Sequence, residues 1–266
     1  MHYYRFILHV LLLFFLPLVA NAQETKDSTQ ATDSIQKTIA RKGRYLLEIF
    51  ANRKKIDIDY QKAEEYVTQN AEGYKELMNR FQKDPNSLNE EEAAMLYYGF
   101  AFTKDYDPEN IDFNINLMKA FKDEDKYSAF MVHKGELLRT PVSLSLLMNT
   151  AHLAGEAGDA KSKQKYMQMV TKLLFGIMAS GTGYSKENAI KVLYIADEYA
   201  IFRDMMGLRK TTQRFIENRY DRMTLETGNG GESIILWFDT YLNHQKLSKK
   251  IDKNQKEKEK KKKNKT

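Results

Sequence analysis

The sequence predicts a mainly α-helical (α+β) protein: an irregular helical bundle closed by a small C-terminal β-hairpin or sheet. Three observations predict this class. Apolar residues recur at helical three- and four-residue spacing through most of the chain. Proline, which interrupts helices, occurs only four times in 266 residues. Near the C-terminus, two β-rich runs flank the step Asn229-Gly230, a strong hairpin signal.

The first 22 residues have the layout of a secretory signal peptide. Arg5 supplies the positive charge, residues 6–19 form an apolar run, and Ala20-Asn21-Ala22 is a small-x-small cleavage site. The apolar run is shorter than the roughly 20 residues of a comfortable membrane span. We therefore expect cleavage near Ala22, no transmembrane segment afterwards, and a periplasmic or secreted mature protein.

Composition divides the rest of the chain into three parts. Residues 23–38 are polar and lack apolar periodicity, which predicts a linker. Residues 39–245 form a single helical domain, with the β element at about 220–240. Residues 246–266 carry eleven lysines against three acidic residues, which predicts a disordered tail.

The positive charge of the chain is concentrated in that tail. The formal net charge of the whole chain is +6. The tail contributes +8 and Arg5 contributes +1, so the remaining residues, 23–245, carry a net charge of −3. The tail contains no aromatic residue that could stack on a base, so we expect no specific nucleic-acid binding. Weak contact with an anionic surface is the functional alternative to a solvated tail.

Helices fill the first two thirds of the domain. Asp57 or Asp59 can cap the second helix, and Ser87 with Glu90 fits a capping box that opens a helix to about Phe102. Apolar spacing predicts helices in these regions: 39–50, 60–81, 90–102, 108–121, 142–154 and 159–177. A further segment, at about 130–138, precedes the break at Thr140-Pro141.

The last two of these helices resemble a tetratricopeptide-type hairpin. They flank Gly155-Glu-Ala-Gly158, and small residues permit a close helix crossing. A 34-residue period is not sustained over three units, so a repeat array is not predicted.

The C-terminal third changes character. Ser180-Gly-Thr-Gly183 predicts a loop, and Ser185 is a candidate N-cap. Residues 191–195 fit either a short strand or a buried helix, and their length does not decide between the two. Residues 197–206 have helical spacing that stops at Gly207, and strands over 222–227 and 233–238 predict the closing hairpin.

Residues 96–108, Leu-Tyr-Tyr-Gly-Phe-Ala-Phe-Thr-Lys-Asp-Tyr-Asp-Pro, resemble a hallmark of an exported bacterial family known as domain of unknown function 4919. The loop 180–183, the step Asp197-Glu-Tyr199, Gly207-Leu208 and Trp237-Phe238-Asp239 are similar to its further motifs. The resemblance covers roughly residues 57–241. It implies a fold but no activity, because the family has no established one.

Few residues are candidates for chemistry. The chain has no cysteine, which excludes disulfides, thiol catalysis and cysteine metal sites. His133, His152 and His244 are not at metal-ligand spacing, so we expect no metal and no cofactor. Nucleophile elbows, phosphate-binding loops and dinucleotide fingerprints are absent from the sequence.

Asp197 and Glu198 are the best site candidates, because two adjacent acids stand in an otherwise apolar stretch. An inward carboxylate needs a partner, which Arg203 or Arg209 can supply. In the purely structural interpretation, Asp197 caps the following helix and Glu198 is solvated. The candidate binding residues are Asp197, Glu198, Tyr199, Ser180, Gly181 and Gly183.

The favoured function is a non-catalytic helical interaction protein or envelope-associated scaffold, whose partner is an unknown protein or envelope component. The alternative is an envelope hydrolase that uses Asp197 and Glu198 beside the loop Ser180–Tyr184. The dense aromatic residues of the 96–106 region invite sugar stacking, although aromatic residues this dense on a helix are typical of a core.

Overall fold

The computed structural model describes residues 45–109, 125–226 and 233–263. It confirms the predicted class: the described chain is mainly helical, with a small four-stranded sheet at the C-terminal end. The helices that precede the sheet are α1 (45–51), α2 (Tyr60–Gln69), α3 (Ala71–Lys83), α4 (Glu90–Gly99), α5 (Lys126–Glu136), α6 (Leu144–Glu156) and α7 (Ala160–Met178).

The helix α7 lies at the centre of the bundle, packed between α6 and α4. All its residues from Tyr166 to Met178 are buried, with the exception of the half-buried Gln168. At Gly176, a Cβ atom would lie 2.7 Å from the backbone nitrogen of Ala94. The close crossing of α7 and α4 therefore requires glycine there. The turn from α6 to α7 contains Gly158, whose φ is +77°.

Two helix caps differ from the sequence prediction. Asn70 separates α2 from α3 and caps α3 by accepting from the backbone N–H of Gly73 at 3.1 Å. The helix α4 begins at Glu90 as predicted, but its capping box lies at Asn89 and Glu92, not at Ser87 and Glu90. The predicted cap was wrong because Ser87 belongs to a 3-10 turn, Pro85–Ser87, that precedes the helix.

The sheet has the order β1-β4-β3-β2, with β1 (Ile190–Lys191), β2 (Arg209–Ile216), β3 (Tyr220–Glu226) and β4 (Ser233–Asp239). The strands β3 and β4 form the predicted antiparallel hairpin. The ambiguous segment at 191–195 begins as the strand β1, which pairs in parallel with β4. The strand β2 was not predicted; it pairs with β3 through a turn at Glu217 and Asn218.

The predicted helix at 197–206 is present with an unusual geometry. It starts as the short α-helix α8 (Ile195–Tyr199), continues as a π-helix over Ala200–Met205, and ends at Gly207, whose φ is +65°. The predicted helix cap at Ser185 is wrong, because residues 186–188 form a bend and a turn and no helix follows. The Ser185 hydroxyl instead accepts from the backbone N–H of Asn188 at 3.3 Å.

The chain ends in α9 (Tyr241–Lys263), which includes residues for which composition predicts disorder. Lysine, glutamate and glutamine are good helix formers, and the buried residues Leu242 and Asn243 anchor the first turn. Lys250 forms salt bridges with Asp107 and Glu109. Most of the helix predicted at 108–121 lies outside the described residues.

Candidate functional site

The carboxylate of Asp197 lies inside the protein, at the N-terminus of α6. Its side chain is 0 % exposed. Its Oδ1 accepts from the backbone N–H of Ser145 at 2.9 Å and from the hydroxyl of Ser143 at 3.4 Å. Because the N-terminal turn of a helix carries partial positive charge and unpaired N–H groups, it stabilises a carboxylate at this place.

Tyr97, on α4, binds the other side of the same carboxylate. Its hydroxyl donates to Oδ2 of Asp197 at 2.7 Å and accepts from the backbone N–H of Leu193 at 2.9 Å. Burial, and then the negative charge of Asp197, raise the pKa of the Tyr97 phenol well above its usual value. Tyr97 therefore stays protonated and keeps its donor role, so that one buried contact joins α4, α6 and the segment before α8.

The structural interpretation of the two acids was right in part. Asp197 does cap a helix, but this helix is α6, and Asp197 itself lies within the first turn of α8. Glu198 is 0 % exposed, so the prediction of a solvated side chain was wrong. The proposed partner arginines are engaged elsewhere.

Those two arginines form salt bridges with other acids. Arg203 pairs with its neighbour Asp204 at 2.6 Å, and Arg209 pairs with Glu226 at 2.5 Å. Sequence proximity suggested them as partners of Asp197, whereas helical and strand geometry direct them outwards. The hydroxyl of Tyr97 and the backbone of α6 take their place at Asp197.

The loop at Ser180, Gly181 and Gly183 connects α7 to the sheet. The Ser180 hydroxyl donates to the carbonyl of Ile177 and accepts from the backbone N–H of Lys191. A Cβ atom on Gly181 would lie 2.3 Å from the carbonyl oxygen of Ala189. Gly183 has a φ of +77°, and its carbonyl accepts from the backbone N–H of Trp237 at 2.8 Å. The hydrogen bonds with Lys191 and Trp237 hold the loop against β1 and β4.

Among the predicted site residues, Tyr199 lines an open groove. Two cations lie near its ring, with Nζ of Lys210 at 4.8 Å and the guanidinium carbon of Arg203 at 5.7 Å from its centroid. The Lys210 ammonium also donates to the Tyr199 hydroxyl. The groove, with a volume of about 320 Å³, is also lined by Phe202, Gly207, Leu208 and Arg209. Neither Asp197 nor Glu198 lines it.

A second, larger groove lies between faces of α2 and α9. We call it the helix groove. Its volume is about 630 Å³. The rings of Tyr60 and Tyr241 stack in parallel on one side, with centroids 5.9 Å apart. The lining residues are Tyr60, Gln61, Glu64, Glu65, Thr68, Phe102, Tyr241, Leu242 and Gln245. No local sequence pattern indicates this groove, because its two walls, at Tyr60 and Tyr241, are about 180 residues apart in the chain.

The aromatic residues at 97–106 mostly belong to the core, as their density on one helix indicated. Tyr97, Tyr98 and Tyr106 are each at most 2 % exposed. The hydroxyl of Tyr98 donates to the carbonyl of Lys191, and that of Tyr106 to the carbonyl of Leu193. These three tyrosines therefore hold the extended segment between β1 and α8 in place through hydrogen bonds. Because they are buried, none of them is available for sugar stacking.

The histidines lie in separate environments. His133 is buried, and its Nδ1 lies 2.9 Å from the carbonyl oxygen of Ala129. The ring of His244 packs on Phe215 with centroids 4.4 Å apart. In the described ranges, no three His, Asp or Glu side chains form a cluster that could hold a metal ion.

Within the described part of the chain, no helix has both the length and the apolar character that crossing a bilayer requires.

Comparison with known proteins gives one match. The family model described as "Domain of unknown function (DUF4919)" matches residues 61–250. The chain belongs to this family. The match includes α2 to α8, the whole sheet and the first turns of α9, and it confirms the resemblance seen in the sequence. No curated protein and no solved structure matches the chain significantly.

Proposed function

We propose that this DUF4919 protein is an exported, non-catalytic interaction protein of the cell envelope, which binds a partner protein in the helix groove. One observation carries the proposal: the helix groove is open and lined by helix faces, whereas the carboxylate of Asp197 is buried and joins structural elements. Export to the periplasm or beyond is supported by the signal-peptide layout of residues 1–22.

The composition of the helix groove suggests the chemistry of its partner. The stacked rings of Tyr60 and Tyr241 and the half-buried Phe102 offer apolar area. Glu64 and Glu65 lie exposed at the groove, where they favour a cationic partner. An amphipathic helix with apolar anchors at helical spacing and basic residues beside them matches both features.

Two further parts of the proposal rest on other elements. The pair of α6 and α7, joined by a short turn at Gly158, supports a tetratricopeptide-like scaffold for the groove-bearing helices. The lysine-rich end of the chain supports a weak, salt-sensitive contact with an anionic surface.

The envelope hydrolase is the alternative function. It requires Asp197 and Glu198 to reach a substrate beside the loop Ser180–Tyr184. Both acids are 0 % exposed, and Oδ1 and Oδ2 of Asp197 already accept hydrogen bonds from α6 and α4. The geometry therefore favours the interaction role.

Site-specific photo-crosslinking tests the proposed role. A photoreactive residue replaces Glu65 in the helix groove, and in a matched variant it replaces Glu72, an exposed acid of α3 outside the groove. In cells of the source organism, we expect a discrete adduct with an envelope protein at position 65 and none at position 72. Equal labelling at both positions, or none at either, would contradict the proposal.

N-terminal sequencing tests export separately. Protein recovered from the periplasm or the medium should begin at or near Gln23. An intact Met1 on protein that stays in the cytoplasm would show that the localisation is wrong.

A further inference from the structure

A second surface, independent of the helix groove, lies on the outer face of the sheet. Residues of β2, β3 and β4 align there in rows across the strands. Arg214 pairs with Arg222, and Arg222 pairs with Trp237, which forms one row. Thr212, Thr224 and Ile235 form the next row in the same way. We call the first of these the arginine row.

Residues of this face are accessible to solvent. Arg214 and Thr212 are exposed, and Ile235 is 39 % exposed. Arg222, Thr224 and Trp237 are half-buried. On the opposite face, Met223, Leu225, Leu236 and Phe238 are fully buried in the core. The sheet thus presents one packed face and one face that a ligand can reach.

The two arginines of the row carry charge that no described acid neutralises. Arg209 at one end of β2 pairs with Glu226, and Arg219 beyond the turn pairs with Asp239. Within the described residues, neither Arg214 nor Arg222 forms a salt bridge or a hydrogen bond. Like charges directly opposite each other on neighbouring strands repel. An anion bound between the two guanidinium groups therefore reduces this repulsion and gains charge-assisted hydrogen bonds.

Trp237 extends the same row with an aromatic surface. The guanidinium carbon of Arg222 lies 5.8 Å from the centre of its ring, which holds the arginine beside the indole. The indole ring offers a flat apolar area, on which the C–H face of a sugar ring can pack. The hydroxyls of Thr212 and Thr224 lie 2.9 Å apart in the next row and can each donate and accept hydrogen bonds.

We propose that the outer face of the sheet binds an acidic polysaccharide of the uronic-acid class. Its carboxylate lies between Arg214 and Arg222, a neighbouring sugar ring packs on Trp237, and sugar hydroxyls bind at Thr212 and Thr224. An acidic peptide would satisfy the arginines but would leave the ring platform and the two hydroxyls without a matching group. The row thus favours a ligand that combines carboxylates with sugar rings.

The single tryptophan of the chain makes this proposal directly testable. Because the chain has only Trp237, its intrinsic tryptophan fluorescence reports on the proposed site alone. Titration of the purified mature protein with oligogalacturonate should give a saturable change in emission, weakened by about 0.5 M salt. Neutral malto-oligosaccharides and polyglutamate of similar length should give little change at the same concentrations.

Variants then test the arginines. Arg214→Gln and Arg222→Gln should each weaken oligogalacturonate binding by about ten-fold or more. Arg139→Gln removes an exposed arginine just beyond the end of α5, away from the sheet, and should bind like the parent. Circular dichroism of each variant checks that it is folded.

Three results would overturn the proposal. These are equal binding of the neutral sugar, binding of polyglutamate as tight as that of oligogalacturonate, and unchanged binding by both arginine variants. Polyglutamate binding would assign the surface to an acidic peptide. None of these results bears on crosslinking at the helix groove, so the two proposals succeed or fail separately.

Discussion

The hydroxyl of Tyr97 donates a 2.7 Å hydrogen bond to the carboxylate of Asp197, 100 residues further along the chain. It also accepts from the backbone N–H of Leu193, and Asp197 in turn accepts from the backbone N–H of Ser145. These groups are buried or nearly so, and a buried donor or acceptor that loses its partner lowers the free energy of unfolding. This polar junction accordingly determines how α4, α6 and α8 meet.

Asp197→Ala should lower the free energy of unfolding by about 3 kcal/mol, because it leaves the Tyr97 hydroxyl and the Ser145 N–H without an acceptor. Urea denaturation measures the change. Asp204→Ala is the matched control, since this acid lies in a solvent-accessible salt bridge with Arg203 and should change stability by less than about 1 kcal/mol. Unchanged or raised stability of Asp197→Ala would point to a functional carboxylate instead.

Tyr97→Phe should lower the free energy of unfolding by about 1–3 kcal/mol, because it leaves the backbone N–H of Leu193 without an acceptor and removes one donor to Asp197. Combined with Asp197→Ala, it should cost less than the sum of the two changes, by about 1 kcal/mol or more. Additive effects would contradict a direct coupling between the two side chains.

Gly176→Ala should lower the free energy of unfolding by about 1–3 kcal/mol, because the new Cβ atom would meet the backbone of α4 at Ala93 and Ala94. Gly135→Ala is the matched control: it also lies in a helix, but nothing is within 4 Å of its Cβ position. Since alanine favours a helix, the control should be neutral or slightly stabilising. Similar losses in both variants would show that the helix crossing is looser than described.

Stability should fall as the pH is lowered from about 7.5 to 5.5. Burial lowers the pKa of His133, so the unfolded chain binds a proton more readily than the native protein. The stability from the neutral histidine is complete above the unfolded pKa of about 6.5, and it is lost as the pH falls towards the lower native pKa. The loss from one histidine is at most about 1.4 kcal/mol per pH unit.

Denaturation curves across this pH range test that assignment. His133→Gln should flatten the dependence, whereas His152→Gln changes an exposed histidine and should leave it as in the parent. Burial also lowers the pKa of His244, which should account for part of the remaining slope. A His133→Gln variant with the slope of the parent would show that its burial is not the cause.

Removal of residues 254–266 should leave the melting temperature within about 2 °C of the parent, because the buried residues Leu242 and Asn243 are retained. Lys250, which forms salt bridges with Asp107 and Glu109, is retained as well. Differential scanning calorimetry measures the shift. A drop of more than about 5 °C would mean that the end of the chain is a structural part of the domain.

Local patterns were enough to predict α7 and the β3–β4 hairpin, since each has a regular apolar period or a clear turn signal. They were not enough for β2. The turn that joins β2 to β3 places Glu217 and Asn218 at φ values of +57° and +52°. Turns of this kind are usually recognised by glycine. The pairing of β2 with β3 therefore offsets the cost of placing two non-glycine residues in the left-handed region, and neither feature has a strong sequence pattern.

The candidate site was likewise predicted only in part from the sequence. The sequence indicated that Asp197 and Glu198 are unusual, because charged residues in an apolar stretch demand an explanation. It could not show that Asp197 caps α6 rather than its own helix, because the N–H group concerned belongs to Ser145, 52 residues earlier. The arginine row was equally hidden, because its three residues meet only through strand register.

The sequence by itself determined the helical class, the closing hairpin and the absence of thiol chemistry, because apolar periodicity, turn residues and composition are local properties. Tertiary structure alone decided which polar groups are buried and which reach solvent. It turned Asp197 inwards to Tyr97, opened a groove between α2 and α9, and left Arg214 beside Arg222 on an accessible face. The physical reason is that burial and pairing depend on residues distant in the chain, whose approach is determined by the packing of the whole bundle.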